Sequence, residues 1–265
     1  MLIIGEVING SNKAVKEAVM KRNDEFIKEL AHRQVQSGAD YIDVNVGVGK
    51  GDREQEIADM QWAVLAIQEV VDKPLALDTT DPYVLEAGLK VHRGQAMINS
   101  VSAESERMDA FFTLAREFGA KAVALPITDK GIPATPREKL GVIEYLINQS
   151  LKNRVKPKEL YFDPLALPVS VEADSGANVL QTLAMIKEIP EVKTTVGLSN
   201  ISYGMPVREL LNQSFLLLAM QNLDAVILNP LDKSLRGALV AGAALLGRDR
   251  LCMDYIRAYR RGELS

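Results

Sequence analysis

The chain has 265 residues, of which 47% are hydrophobic and 25% charged, and its net charge is -4. This balance excludes a protein that binds nucleic acid or a membrane surface through a basic face. The one cysteine, Cys252, cannot form an internal disulfide and favours a reducing, cytoplasmic location. No segment approaches the ~18 apolar residues of a membrane span, and the N-terminal MLIIGEVING lacks the basic region of a signal peptide.

Eight short apolar runs alternate with amphipathic stretches along the chain. The runs cover residues 2–9, 41–47, 74–80, 95–101, 120–127, 160–167, 194–200 and 224–230. A strand followed by a helix-length crossover predicts parallel pairing. Eight such units in this length predict a single (β/α)₈ TIM barrel in one domain over residues 1–265. A doubly wound open sheet is the alternative, although it favours six strands and a glycine-rich first turn.

Helix start signals support this division. Asp81 caps a helix that opens with Pro82, and Thr135 with Glu138 forms a capping box. Pro206 is expected to open the helix after strand 7 in the same way. The last residues, 250–265, predict a surface helix followed by a frayed tail.

Polar residues recur at the carboxyl ends of the apolar runs, the end at which barrel active sites lie. They are Glu6, Asn9, Asp43, Asn45, Asp78, Asn99, Asp163, Asn200 and Asn229. In YIDVNVG the apolar residues share one face and Asp43 with Asn45 the other, so alternation points these two into the barrel mouth. Asp78 follows the same rule, whereas Asn200 shares its parity with apolar neighbours.

Any one of these residues could instead cap a helix or close an Asx-turn. Asp163 before Pro164, Asn9 before Gly10 and Asn229 before Pro230 all fit that simpler interpretation. The set as a whole contains no histidine, cysteine or lysine, which a metal site or a nucleophilic triad needs. We therefore expect no metal in this chain. Carboxylates and amides suit a flat, nitrogen-rich heterocycle such as a pterin.

The segments IIGEVIN, LDTT, MINS, FDPL and GLSN, in this order, resemble the pterin-binding methyltransferases. These are barrels of the dihydropteroate-synthase-like superfamily that exchange a methyl group between methyltetrahydrofolate and a corrinoid. The resemblance runs nearly end to end. It implies that Asp78, Asn99 and Asp163 hold the pterin ring and that Asn200 is the catalytic residue at the methyl-bearing nitrogen N5. It also implies a homodimer.

The resemblance further implies a partner, since the DxHxxG signature of cobalamin domains is absent from the sequence. Cobalamin would come from a separate corrinoid protein, with the rim loop at 47–56 as a candidate contact. Ser199, Tyr203 and Arg208 are secondary candidates for the site. Members that serve an acetogen corrinoid/iron–sulfur protein often have glutamine where this chain has Tyr203.

Methyl transfer away from N5 needs a proton or a strong hydrogen bond at that nitrogen, because a neutral amine is a poor leaving group. No residue of the predicted site is an evident general acid near pH 7, so Asn200 is expected to donate the hydrogen bond. Two other functions stay open: a dihydropteroate synthase-type enzyme and a non-catalytic folate-binding protein. A phosphate-handling barrel would need a glycine-rich site after strands 7 and 8, which the sequence lacks.

Overall fold

The computed structural model describes residues 1–49 and 52–264, and within them eight parallel strands form one sheet. The strands are β1 (Leu2–Asn9), β2 (Tyr41–Asn45), β3 (Leu75–Asp78), β4 (Met97–Ala103), β5 (Lys121–Thr128), β6 (Leu160–Phe162), β7 (Lys193–Thr194) and β8 (Ala225–Leu228). Their order is β7-β6-β5-β4-β3-β2-β1-β8. The edges β7 and β8 meet where the Ile227 N–H donates to the Val196 carbonyl at 3.0 Å. This closure confirms the predicted (β/α)₈ barrel.

Ten α-helices surround the strands in the described part of the chain. They are α1 (Lys13–Lys21), α2 (Asp24–Gln36), α3 (Arg53–Val70), α4 (Pro82–Val91), α5 (Ser105–Glu117), α6 (Pro136–Lys152), α7 (Ser175–Lys187), α8 (Arg208–Ala219), α9 (Lys233–Leu245) and α10 (Met253–Arg260). None of these helices is both long and apolar enough to cross a membrane.

The two faces of the strands pack in different apolar clusters, one between the strands and the helices and one inside the barrel. Ile42, Val44, Leu75 and Leu77 pack outward against the helices, whereas Ala76 lies in the smaller cluster inside the barrel. The alternation predicted for strands 2 and 3 is therefore confirmed. The alternation matters for function because it places the polar residues at the ends of these strands inside the barrel, near its mouth.

Two of the three predicted helix starts are confirmed. Asp81 accepts a hydrogen bond from the Tyr83 N–H, and Thr135 forms the capping box with Glu138. The third is wrong, because α8 begins at Arg208 and not at Pro206. Val207, in a left-handed conformation, separates the proline from the helix.

The predicted strand at 194–200 is also wrong in its second half. Strand β7 ends at Thr194, a single isolated bridge pairs Gly197 with Ile227, and residues Leu198–Ser202 form a 3₁₀ helix. The Gly197 N–H donates to the carboxylate of Asp163, the residue that follows β6, at 2.8 Å, and so does not continue the pairing with that strand. Strand parity consequently says nothing about where Asn200 points.

The predicted rim loop at 47–56 is shorter than expected. Helix α3 already begins at Arg53, with Asp52 as its cap. Lys50 and Gly51 lie outside the described residues.

Candidate functional site

Two amide–carboxylate pairs link strands β2, β3 and β4 at the barrel mouth. Asn45 donates through Nδ2 to Asp78 at 2.9 Å, and Asn99 donates through Nδ2 to Asp43, also at 2.9 Å. Each pair joins an inward residue of β2 to one on another strand. The structure thus brings together four of the residues that sequence alone singled out.

These pairs fix which atoms remain for a ligand. Asn45 also accepts the Gly47 N–H through Oδ1, so both ends of its amide are used. Asn45 is therefore a support for Asp78. Asn99 has its NH₂ turned to Asp43, which leaves Oδ1 as an acceptor for a ligand N–H.

The two carboxyl groups in these pairs both hold their protons more tightly than usual. Burial, followed by the charge of Asp78, raises the pKa of Asp43 well above its ordinary value. Burial also raises the pKa of Asp78, and the hydrogen bond from Asn45 opposes this. Ionising several acids that lie together in the barrel mouth costs free energy. Clusters of acids with raised pKa values are typical of binding or catalytic sites.

Asp163 is fixed by two backbone groups from different segments. Its Oδ1 accepts the Leu165 N–H and its Oδ2 the Gly197 N–H, each at 2.8 Å. The first bond is the Asx-turn that the simpler interpretation predicts. The second spans 34 residues and ties β6 to the segment after β7.

Gly197 lets Asp163 and Asn200 come together. A Cβ at this position would lie 3.1 Å from Nδ2 of Asn200 and 3.7 Å from Oδ2 of Asp163. The absent side chain therefore leaves room for the amide to fold back over residue 197 toward the carboxylate. Asn200 itself is exposed at the open mouth, where a ligand can reach it.

Sequence reasoning missed Lys139, which supports Asp163 from helix α6. Its ammonium is buried and donates to the Leu165 carbonyl at 3.3 Å. Burial raises the pKa of Asp163 to about 6, while backbone hydrogen bonds and the charge of Lys139 oppose the rise. A lysine within an amphipathic helix pattern gives no sign that it serves a distant carboxylate.

Glu6 enters the mouth through a bulge in strand β1. The pairing of β1 with β2 slips between Gly5 and Ile8, and the Val7 N–H donates instead to Oε1 of Gln34 at 3.1 Å. Gln34, on helix α2, is fully buried. Bulges re-aim side chains, and here the bulge places Glu6 in the cavity beside Asn200. Sequence reasoning missed Gln34 as well.

The expectation that the site lacks a group titrating near pH 7 is wrong. Burial raises the pKa of Glu6 to about 7, and this rise outweighs a hydrogen bond with Ser199 and the positive charge of Arg208. The carboxyl group is therefore present in both protonation states at neutral pH. Such a group suits proton transfer to or from a ligand.

Arg208 organises the segment that carries Asn200. Its guanidinium donates to the Ser199 carbonyl at 2.8 Å and to the Ser202 hydroxyl at 3.0 Å. It also lies 5.8 Å from the ring centre of Tyr203, which is exposed. The secondary candidates Ser199, Tyr203 and Arg208 thus form one corner with Asn200.

A cavity of about 600 Å³ opens beside this corner, between β1, β8 and helix α8. Glu6, Asn200, Tyr203, Arg208 and Asn229 all line it. Its volume falls within the ~300–1,000 Å³ typical of small-molecule sites. The site therefore has two adjoining parts, a carboxylate–amide floor and this cavity.

The chain matches the model of one protein family, the pterin binding enzymes, over residues 5–229. The chain belongs to the pterin-binding enzyme family. Over its full length it is 35% identical to the methylcorrinoid:tetrahydrofolate methyltransferase of Eubacterium limosum, covering 98% of that protein. It is also 32% identical, over 82% of its length, to the methionine synthase of Mycobacterium tuberculosis, of which it covers 19%.

Two solved structures of dihydropteroate synthases share the fold of this chain. A dihydropteroate synthase from Yersinia pestis, in complex with a sulfonamide drug, gives a TM-score of 0.71 at 17% identity, covering 93% of this chain and 94% of that one. The Xanthomonas albilineans enzyme with 4-aminobenzoic acid gives 0.70 at 19% identity, covering 94% and 93%. At these identities the likeness establishes the barrel alone.

Proposed function

We propose that this pterin-binding enzyme transfers a methyl group between N5 of tetrahydrofolate and the cobalt of a corrinoid. The observation that carries the proposal is the similarity to the E. limosum methyltransferase along the full length of both chains. That relative's name gives the methylcorrinoid as donor and tetrahydrofolate as acceptor. We propose the same direction of transfer here. We also propose that residues 1–265 form one domain and that the protein works in the cytoplasm.

The carboxylate–amide floor holds the pterin ring in this proposal. Asp163, fixed by two backbone N–H groups, accepts two parallel N–H bonds from the aminopyrimidinone edge. Asn99 presents its Oδ1 acceptor to a ring N–H, because its NH₂ is held by Asp43. Asp78, oriented by Asn45, accepts a further ring N–H.

In this proposal Glu6 and Asn200 act at the reacting nitrogen, N5. Tetrahydrofolate N5 carries a hydrogen, which must leave as the new N–C bond forms and the cobalt keeps the electron pair of the broken bond. Glu6, with a pKa of about 7, takes this proton, and in the reverse direction it returns the proton. In the reverse direction, from methyltetrahydrofolate, Asn200 donates a hydrogen bond that strengthens as electron density collects on the departing N5.

A separate protein supplies the corrinoid in this proposal, and the open mouth around Tyr203 is where that partner docks. Arg208 holds the Tyr203 ring at the rim of the cavity. The exposed aromatic ring gives the partner an apolar contact in place of the second amide that some related enzymes have.

We also propose a homodimer formed through helix α8. Leu210, Leu217 and Leu218 are exposed on that helix, although large apolar side chains usually prefer burial. The double change Leu210→Glu and Leu218→Glu should convert a dimer to a monomer in sedimentation velocity, with an unchanged fold by circular dichroism. A wild-type protein that sediments as a monomer at micromolar concentration contradicts this part.

Dihydropteroate synthase activity is the competing function, and the cavity opposes it. That reaction releases pyrophosphate, yet the helix N-termini at the cavity already carry carboxylates. Glu209 lies in the first turn of α8, and Asp232 caps α9. A helix N-terminus satisfied by its own carboxylate is a poor anion site.

The deciding experiment is an anaerobic assay with cob(I)alamin and methyltetrahydrofolate, run in both directions. Loss of Co(I) absorbance on mixing, and its return with tetrahydrofolate and methylcobalamin, support methyl transfer. Folate binding without either change indicates a non-catalytic folate-binding protein. Condensation of a dihydropterin pyrophosphate with 4-aminobenzoate instead supports the synthase.

A further inference from the structure

The cavity beside Asn200 extends well beyond the residues assigned to the pterin ring. Asp78, Asn99 and Asp163 do not line it. Its walls contain five asparagines, namely Asn9, Asn12, Asn200, Asn212 and Asn229. Four of these have no part in the ring site, and we call Asn9, Asn12, Asn212 and Asn229 the amide wall.

Three members of the amide wall offer hydrogen-bond donors to the cavity. Asn9, Asn12 and Asn229 each accept, through Oδ1, the backbone N–H two residues further along, at 2.9 Å. This bond fixes which end of each amide is oxygen. Their NH₂ groups make no hydrogen bond to another residue that the structure describes, so a ligand acceptor can take them.

The fourth member offers an acceptor. Asn212, on helix α8, is 8% exposed, and its Oδ1 is buried without a partner in the described part of the chain. A buried polar atom without a partner costs free energy. Because this oxygen is itself covered, a turn of the Asn212 side chain toward the cavity would be needed before a ligand N–H could remove the cost.

The charges around the cavity oppose an anionic ligand, and the NH₂ donors of the amide wall need a carbonyl-like acceptor, which a simple cation lacks. Glu209 and Asp232 occupy the two helix N-termini, and Glu6 also lines the cavity. Arg208 already donates to Ser199 and Ser202. A ligand that fits these donors and acceptors without net charge is a primary amide, which has a carbonyl for the NH₂ groups and an NH₂ for Asn212.

We propose that the amide wall binds the primary amide side chains at the rim of the corrin ring. This inference rests on the proposed function, because the corrinoid must approach Asn200 to exchange the methyl group. The cavity is lined by Asn200 and not by Asp78, Asn99 or Asp163. The wall then orients the incoming corrinoid by its edge, while the partner protein holds the rest of it.

The test measures the binding of two corrinoids, each in its neutral dicyano form, to the folate-loaded protein. Cobinamide carries rim amides, and the matched corrinoid carries methyl esters, which keep the carbonyls but lack N–H donors. Dissociation constants come from the visible absorbance of the corrinoid. We expect the wild-type protein to bind cobinamide at least tenfold more tightly than the ester.

Two variants separate the roles of the wall. Asn212→Ala should remove the preference for cobinamide, because the acceptor for the amide N–H is lost. Asn12→Ser keeps an N-terminal cap for helix α1 and should weaken both corrinoids several-fold. Asn148→Ala, on the exposed surface of α6, is the control and should change neither constant.

Equal affinity of the wild-type protein for the two corrinoids, or no measurable binding of either, overturns the inference. So does a result in which Asn12→Ser and Asn212→Ala weaken tetrahydrofolate binding and leave the corrinoids unaffected, since the cavity then holds the folate tail. The proposed function fails separately, when the wild-type protein binds no folate and moves no methyl group.

Discussion

Asn200 and Asp163 meet beside Gly197 and have different tasks in the proposed reaction. Asp163 is buried and held by two backbone N–H groups, as a residue that recognises an unchanging ring edge should be. Asn200 is exposed, and its amide carries no charge to be lost. Recognition acts equally in the ground state and the transition state, whereas a bond to the reacting nitrogen does not.

Asn200→Ala should lower turnover at least tenfold and weaken tetrahydrofolate binding less. With methyltetrahydrofolate as the methyl donor, the lost hydrogen bond strengthens as electron density collects on the departing N5, where a well-placed donor contributes about 3 kcal/mol. Single-turnover methyl transfer and fluorescence titration of folate measure the two effects, with Asn148→Ala as control. Transfer at the wild-type rate would mean that Asn200 has no role in the reaction.

Asp163→Asn should mainly weaken tetrahydrofolate binding, by tenfold or more. The change removes an acceptor for two ring N–H bonds, and a hydrogen bond to a charged group contributes about 1.5–3 kcal/mol. Because burial raises the pKa of Asp163 to about 6, wild-type affinity should also fall as the pH drops below that value. Fluorescence titration measures both.

The exposed substitution Asp174→Asn is the control for this experiment, since that side chain makes no capping hydrogen bond. Unchanged affinity of Asp163→Asn for folate would remove Asp163 from the ring site. A wild-type affinity that stays constant between pH 5 and 7 would show that its ionisation is not required.

At the scale of elements, the site depends on places where the strands stop being regular. The bulge in β1 brings Glu6 into the cavity, and Gln34 replaces the missing ladder bond. A Cβ on Gly5 would lie 2.4 Å from Oε1 of Gln34. Glycine at position 5 therefore lets the α2 side chain reach the strand.

Gln34→Met should lower the free energy of unfolding by about 1–3 kcal/mol, because the Val7 N–H loses its partner. Methionine has a similar volume, so packing alone should change little. Urea denaturation gives the measurement. Gln36→Met, on the exposed side of the same helix, should stay within about 0.5 kcal/mol of wild type. Equal effects of the two changes would show that Gln34 contributes only apolar contact.

Regular elements could be predicted from the sequence, and these irregular ones could not. Alternation correctly points Asp43 and Asn45 inward, because a strand has a fixed period of two. The end of β7 is set by a bond between Gly197 and Asp163, and no local pattern reports a partner 34 residues away. Gln34 and Lys139 could not be predicted for the same reason, since each forms a hydrogen bond with a backbone group that is distant in the sequence.

At the scale of the whole molecule, the buried acids of the barrel mouth lower the free energy of unfolding at neutral pH. Burial raises the pKa values of Glu6, Asp43, Asp78 and Asp163 together. The folded state holds these protons more tightly than the unfolded chain does. The free energy of unfolding should therefore fall as the pH rises through the range between the unfolded and folded pKa values.

Glu6→Gln isolates one part of this cost. The pKa of Glu6 rises from 4.5 to about 7 on folding, so the wild-type protein loses stability between these pH values and the variant does not. The variant should gain on the wild type with rising pH, by at most about 3 kcal/mol at pH 8. Contact with water in the cavity makes this an upper limit.

Urea denaturation of both proteins at pH 5.5, 7 and 8 measures this difference, with Glu17→Gln on the exposed face of α1 as the control. Methyl transfer by Glu6→Gln should fall over the same range, because glutamine cannot take the proton from N5. A stability difference that does not change with pH would mean that Glu6 titrates alike in both states. The gain in stability and the loss of turnover must therefore appear together if the same proton governs both.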